Sequence, residues 1–387
     1  MFSRITTAVI CVSALFLSQR VSAQQDPPTR NELDGRINTI NTAVPFLRIS
    51  PDARSGAMGD AGLAISPDAN SVYWNLSKLP FAPKKSAVAV TYTPWLKELV
   101  NDVFLAQLAG YTQLDELQAI GGSLRYFSLG DIDFVDMGGA SNGTFRPREF
   151  AIDAGYARKL SDNWSLGVAL RYIHSSLASG VTPDQQTIRP GRAVAADLSG
   201  FYTKDFEKDN GVMNNWSFGF AVTNIGNRIS YTQSAQKDFL PTNLGLGTSY
   251  TIGIDEYNKV TFSLDVNKLL VPTPRADSTY PDKSMLEGMF TSFGDAPGGF
   301  KEELHELMYS FGGEYWYNDQ FAVRAGYYNE HKTKGNRRYF TAGLGVKYNI
   351  FGLNFSYLVP SGTGIQRNPL SNTLRFTLSF DLSGNEE

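Results

Sequence analysis

The sequence predicts an all-β protein, a transmembrane antiparallel β-barrel of about 14 strands behind a compact, partly helical N-terminal segment. Three observations predict it. From Ser86 onward, apolar residues alternate with small or polar ones at a period of two. Charged residues fall on only one of the two faces that this alternation creates. The connections between the alternating segments switch regularly between short and long.

The bulk numbers agree. The 387 residues carry 13% aromatics, 36 Gly and 19 Tyr, but only 19% charged residues. A disordered chain would be charge-rich and aromatic-poor. The net charge of −3 leaves no basic footprint, so nucleic acid is not an expected partner.

Residues 1–23 read as a signal peptide. Arg4 is the positive start, Ile5 to Leu17 the apolar core, and Val21-Ser22-Ala23 a small-x-small cleavage pattern before Gln24. The apolar run is shorter than the ~18–20 residues that span a bilayer. The one cysteine, Cys11, lies inside this segment, so disulfides, thiol catalysis and thiolate metal sites are excluded from the mature chain. No later apolar run suits a membrane helix. A membrane location therefore requires a closed barrel, since only helices and barrels satisfy every backbone group in lipid.

Residues 24–85 read as an N-terminal extension with a compact element, the segment that the resemblance given below makes a lumenal plug, and 86–387 as the barrel. Gln24 to about Asn41 is polar. From Thr42 to about Pro83 the period of two is missing. Ser50-Pro51-Asp52 reads as a helix start with Pro at the first helical position. Ala53 to Ile65 is rich in Gly and Ala, which suits a segment with close neighbours.

The strands follow. In Trp164 to Ile173, Trp164, Leu166, Val168, Leu170 and Tyr172 share one face, while Ser165, Gly167, Ala169 and Arg171 lie on the other. Val260, Phe262, Leu264 and Val266 oppose Thr261, Ser263 and Asp265; Leu374, Phe376, Leu378 and Phe380 oppose Arg375, Thr377 and Ser379. Arg125, Asp153, Arg171, Asp197, Asp265, Glu314, Arg324, Lys347 and Arg375 all take the small or polar face. An Arg or Lys facing lipid at mid-depth costs ~2–4 kcal/mol, so this segregation marks a lipid-facing wall around a polar lumen. A soluble β-sandwich would alternate too. The aromatic strand ends Tyr126, Tyr156, Tyr172, Tyr202, Tyr250, Tyr327, Tyr348 and Tyr357 instead suggest an interfacial girdle. The predicted spans are 86–94, 103–113, 117–128, 149–158, 163–174, 192–204, 214–224, 242–252, 258–267, 307–316, 320–329, 337–349, 351–359 and 372–382. Short turns belong on the periplasmic side and long loops outside, which places both termini in the periplasm.

Motifs for chemistry are scarce, and no catalytic, cofactor-binding or metal-binding residue is assigned; an enzyme is not expected. His174, His305 and His331 lack ligand spacing. No Gly-x-Ser-x-Gly elbow occurs. Asp131, Asp133 and Asp136 with Gly138 and Gly139 miss the EF-hand spacing and read as a solvated acidic loop. The connection at 268–306 stands out. It offers Leu269, Leu270, Met285, Leu286, Met289 and Phe290, and then Phe300, Leu304 and Leu307 at helical spacing. Such an apolar loop either packs on its own rim or docks a partner.

The N-terminal element carries a specific resemblance. The run from Thr42 through Pro45-Phe46-Leu47-Arg48-Ile49-Ser50-Pro51-Asp52-Ala53-Arg54-Ser55-Gly56-Ala57-Met58-Gly59-Asp60-Ala61-Gly62 resembles the PorV family, also called LptO, of the type IX secretion system. Ser66-Pro67-Asp68-Ala69-Asn70-Ser71-Val72-Tyr73-Trp74-Asn75 is similar to that family too; Leu76-Ser77 stand where it usually has Pro-Ala. The resemblance implies a fatty-acid-transporter-like (FadL-like) outer-membrane barrel whose plug includes Phe46, Arg48, Asp60, Trp74 and Asn75. It further implies a transport accessory that binds the C-terminal signal domain of secreted cargo. Such a protein would work beside the translocon barrel (SprA, also called Sov), shuttle cargo to the surface attachment complex, and contact outer-membrane lipid and lipopolysaccharide. The competing expectation is an outer-membrane channel for hydrophobic small molecules such as fatty acids. The charged, glycine-rich inward faces argue against a broad apolar pocket.

Overall fold

The computed structural model describes residues 37–95, 102–135, 141–177, 189–207, 212–231, 237–274, 283–359 and 372–382. The signal-peptide expectation for 1–23, and Asp136, Gly138 and Gly139 of the acidic loop, lie outside these.

Fourteen antiparallel strands close into one barrel. They are β1 (Ser86–Pro94), β2 (Val103–Gln113), β3 (Gln118–Leu129), β6 (Arg148–Lys159), β7 (Trp164–Ser176), β8 (Gly191–Glu207), β9 (Met213–Gly226), β10 (Asn243–Gly253), β11 (Asn258–Leu269), β12 (Met308–Tyr317), β13 (Phe321–Asn329), β14 (Arg338–Tyr348), β15 (Phe351–Val359) and β16 (Leu374–Asp381). β4 (Ile132–Val135) and β5 (Ser141–Phe145) form a separate hairpin inside the connection after β3. The last strand pairs with the first, from Ala87 opposite Asp381 to Tyr92 opposite Phe376, so no edge is left open.

Side chains alternate as expected. On β7, Leu170 is 66% exposed while Ser165 is fully buried. Eight of the nine charges expected inside, all but Lys347, are buried. Lys347 is half-exposed because its strand ends at the short-turn rim, where it faces Asp381 at 3.9 Å. Aromatic pairs band the outer surface near the strand ends, among them Trp164 with Tyr202 and Tyr202 with Trp216 at one rim, and Tyr327 with Phe340 at the other.

The plug fills the lumen with short elements: a 3-10 turn at Pro45–Arg48, α1 (Ala53–Gly56), α2 (Ser71–Trp74) and a 3-10 segment at Leu76–Phe81. The expected helix start shifts here. Asp52, not Ser50, is the N-cap: its carboxylate accepts from Ser55 N at 2.8 Å, and Pro51 precedes the cap. Two apolar clusters seat the plug. Phe46 and Leu47 pack on Val103, Phe127 and Ile173 at the long-connection end. Val72, Leu76 and Leu79 pack on Ala87, Ala119 and Ala157 at the short-turn end. Between them the backbone touches the wall. Gly59 has φ +67°, and a Cβ on Gly326 would lie 2.0 Å from Gly59 N.

The plug thus crosses the barrel from rim to rim between Asn38 and β1. Leu382 lies at the short-turn rim, donating from its backbone to Ser86 O at 2.9 Å. Asn38 lies at the opposite rim, where its backbone donates to Thr333 O at 3.0 Å and its side chain to Pro274 O at 2.9 Å. The lumen is traversed before β1 begins, so the two ends of the described chain lie at opposite rims.

Candidate functional site

Three arrangements converge where plug, wall and long connections meet. The first is a set of polar clasps between plug and wall. Arg54 on α1 reaches Glu314 of β12 at 2.8 and 2.9 Å, and Arg324 of β13 reaches the same carboxylate at 2.6 Å. Against the cost of burial, the Glu314 charge raises the Arg54 pKa further, so the guanidinium stays charged. Asp265 of β11 accepts from Gly62 N and Leu63 N at 2.7 and 2.9 Å. Lys78 donates to Gly62 O at 2.7 Å, and burial pushes its ammonium down to about 8. Thr341 of β14 both accepts from Gly59 N and donates to Ala57 O, each at 2.9 Å.

Of the plug residues singled out from sequence, Asn75 and Asp60 bond to the wall, and the others take different places. Phe46 is fully buried. Trp74 donates from Nε1 to Asp52 at 2.6 Å. Asn75 caps Ser77 N and donates to Leu63 O and Gly200 O, each at 3.1 Å. Asp60 accepts from the Tyr339 hydroxyl at 2.5 Å. Arg48 borders a cavity. Sequence reasoning missed Asp52, Arg54 and Lys78. The signal was available, because a lone charge in a run of Gly, Ala and small residues marks a buried pair rather than a solvated face.

The second arrangement is that lumenal cavity, about 140 Å³, between plug and wall. Its charged lining is Arg48, Asp60, Arg171, Arg337 and Arg375, with Tyr73, Trp74 and Trp95 beside them.

The third is the cap over the long-connection rim. The connection after β11 folds into α3 (Met285–Thr291) and α4 (Phe300–His305). Its underside is pinned: Lys268 reaches Glu303 at 3.0 Å and Glu306 at 2.5 Å, and Lys334 reaches Glu302 at 2.6 Å and Glu306 at 3.0 Å. His305 stacks on His331 with ring centroids 3.5 Å apart. Its upper side is apolar, with Phe290 75% and Phe300 79% exposed and Leu286 and Phe293 also outward. Two expected members do not belong there. Leu269 and Leu270 are buried: β11 ends on Leu269, which packs with Met308, Tyr328, Tyr339 and Leu358. Met285 and Met289 are partly buried. Among the described residues, no group of three or more His, Cys, Asp and Glu could hold a metal ion.

The sequence profile described as "Type IX secretion system protein PorV" matches residues 32–276, more than half of the chain. The chain belongs to the PorV family. The match spans the plug with its clasping residues and the wall from β1 through β11. No curated protein matches the chain in sequence. Among solved structures, the Pseudomonas putida toluene transporter TodX aligns with TM-score 0.50 at 12% identity, covering 86% of this chain and 99% of that one. The TodX deltaS2S3 mutant monoaromatic hydrocarbon channel aligns with TM-score 0.51 at 12% identity, covering 85% and 96%. A Pseudomonas aeruginosa FadL homologue aligns with TM-score 0.42 at 10% identity, covering 89% and 99%. The fold of this PorV-family chain is therefore like that of the TodX barrels, and its barrel and family support an outer-membrane location.

Proposed function

We propose that this PorV-family barrel serves type IX secretion as a carrier: it binds the C-terminal signal domain of cargo beside the translocon barrel SprA/Sov and hands it to the surface attachment complex. It works as a transport accessory, with no enzymatic step of its own. The long connections would face outside and the short turns the periplasm. That orientation puts the C-terminal end of β16 in the periplasm and Asn38 at the outer rim.

Family membership carries this reading. The filled lumen adds support, since no folded cargo could pass through it, and so do the exposed Phe290, Phe293 and Phe300 above a pinned base. A few apolar or aromatic anchors usually dominate a protein interface, and flexible ones adapt to many partners. A strain lacking the protein should accumulate signal-bearing cargo in the periplasm; normal surface display would reject the proposal. Within it, Phe290→Asp with Phe300→Asp should leave the barrel inserted yet strip cargo or translocon from the purified protein. Unchanged co-purification would remove the α3–α4 cap as the docking surface.

The second reading is a channel for hydrophobic small molecules, favoured by the likeness to barrels named as hydrocarbon transporters. The lumenal cavity speaks against it, because four arginines line it.

A further inference from the structure

We propose that the lumenal cavity is a binding site for a small oxyanion, a carboxylate or phosphate group, held between Arg48 of the plug and Arg375 of β16. The argument starts from charge. Four guanidinium groups line the cavity and one carboxylate, Asp60, faces them. Three of the four are matched. Arg171 pairs with Asp153 and with Asp197, the latter at 2.8 Å. Arg337 pairs with Glu330 at 2.7 and 2.8 Å. Arg375 stands 3.7 Å from Asp60. Arg48 has no carboxylate within ion-pair distance among the described residues; its guanidinium donates to the Met308 sulfur at 2.7 Å. A thioether is a weak acceptor and carries no charge. Burial and the neighbouring Arg337 both push the Arg48 pKa down, and the opposing pull of Tyr328 and Glu330 does not make this up.

Hydrogen bonding points to the same place. Arg375 is 2% exposed, and its Nη1 has no partner. Ser50 and Ser310, residues of the same cavity wall, also carry buried hydroxyls without a partner. A buried polar group left unpaired is costly. Water could meet the hydrogen bonds but not the charge. An oxyanion meets both, with several acceptor lone pairs and a negative charge beside a guanidinium.

The cavity also has an approach. A second one, about 280 Å³, lies beneath the long-connection rim and is lined by Thr39, Ile40, Lys334 and Glu306. Arg48 and Arg337 border both cavities, so Arg48 sits on the path between rim and lumen. The occupied volume suits a group of a few heavy atoms, either free or at the end of a longer molecule. This assignment is independent of cargo docking on the cap.

The test uses the full-length protein in detergent, titrated calorimetrically with inorganic phosphate and with acetate at constant ionic strength. Saturable binding in the millimolar range or tighter is expected for at least one probe. Arg48→Gln should weaken it roughly tenfold or more, because hydrogen bonds to charged groups contribute about 1.5–3 kcal/mol. Arg48→Lys should retain part of it, and Lys347→Gln, at the opposite rim, all of it. Tighter phosphate binding points to a phosphorylated source, tighter acetate to a carboxylate-bearing one. If neither probe binds the unmodified protein, the site does not exist, whatever the variants do. If both bind Arg48→Gln as tightly as the unmodified protein, the assignment to Arg48 is wrong and the proposal falls.

Discussion

Two carboxylates in this lumen are each held between two arginines, and they do different work. Asp153 of β6 sits between Arg125 of β3 and Arg171 of β7, and Arg171 continues to Asp197 of β8. Every member of that chain belongs to the wall. Glu314 of β12 sits between Arg324 of β13 and Arg54, which comes from the plug. The first set ties strand to strand across four staves of the barrel and meets the plug only through Arg125, which donates to Leu47 O at 3.3 Å and lies over the Tyr73 ring; the second ties contents to container by an ion pair. The same chemistry gives a stiff wall on one side and a retained plug on the other. Which it gives depends only on where the second arginine resides.

The sharpest break in this comparison is Glu314→Gln. It leaves two buried guanidinium groups facing each other, a loss of ~3–5 kcal/mol of the kind seen when one partner of a buried pair is removed. The wall should still insert, while a cysteine placed at Ala57 becomes accessible to a thiol reagent. Protection equal to that of the unmodified protein would contradict the plug clasp. Asp153→Asn should cost a similar ~3–5 kcal/mol, since it strands Arg125 while Arg171 keeps Asp197, as Glu314→Gln strands Arg324 while Arg54 keeps Asp68. Its effect should appear in heat-modifiable gel mobility, with the plug still protected. If both variants release the plug alike, the division of labour is wrong. Leu170→Arg tests the wall's outer face, with an expected cost of ~2–4 kcal/mol at mid-depth and a drop in inserted protein. Ser165→Ala, inside the same strand, should insert far better.

A smaller effect concerns Lys78. Its ammonium titrates near 8 in the folded protein and near 10.5 when exposed. The folded state sheds this proton first, so stability should rise between pH 8 and 10.5 and stay at its lower level below pH 8. The gain is at most about 3 kcal/mol, and Lys78→Met should flatten the slope. Smallest of all is Lys347→Gln. Its ion pair with Asp381 is solvated, and a change within about 1 kcal/mol is expected in urea unfolding.

The wall was legible because lipid imposes a rule on every second residue. Strand ends fall within three residues of their expected positions, and β8, which runs on to Glu207 rather than 204, is the largest extension. The β4–β5 hairpin was not anticipated, since Asp131 and Asp133 read as a solvated loop and four-residue strands carry little periodicity. The plug resisted for a related reason. Its helices are four residues long, shorter than two turns, so no hydrophobic period can build up in α1 or α2. That Arg54 would find Glu314, 260 positions away, is a fact of closure rather than of local pattern. Leu269 and Leu270 looked like loop anchors because two adjacent leucines break alternation at a strand end.

The rim-to-rim course of residues 37–85 also sets an order of events. β1 can meet β16 only once, and what that closure encloses cannot later be threaded past Arg125, Arg324 and Arg375, which together with the plug fill the interior. The leading segment is expected to lie across the half-built sheet before the seam is made, since Ala53 N donates to Thr377 Oγ1 of β16, the closing strand, at 2.9 Å. Assembly resembles folding a sleeve around an arm already in place. A chain whose seam closed early would be an empty cylinder with its own beginning stranded outside.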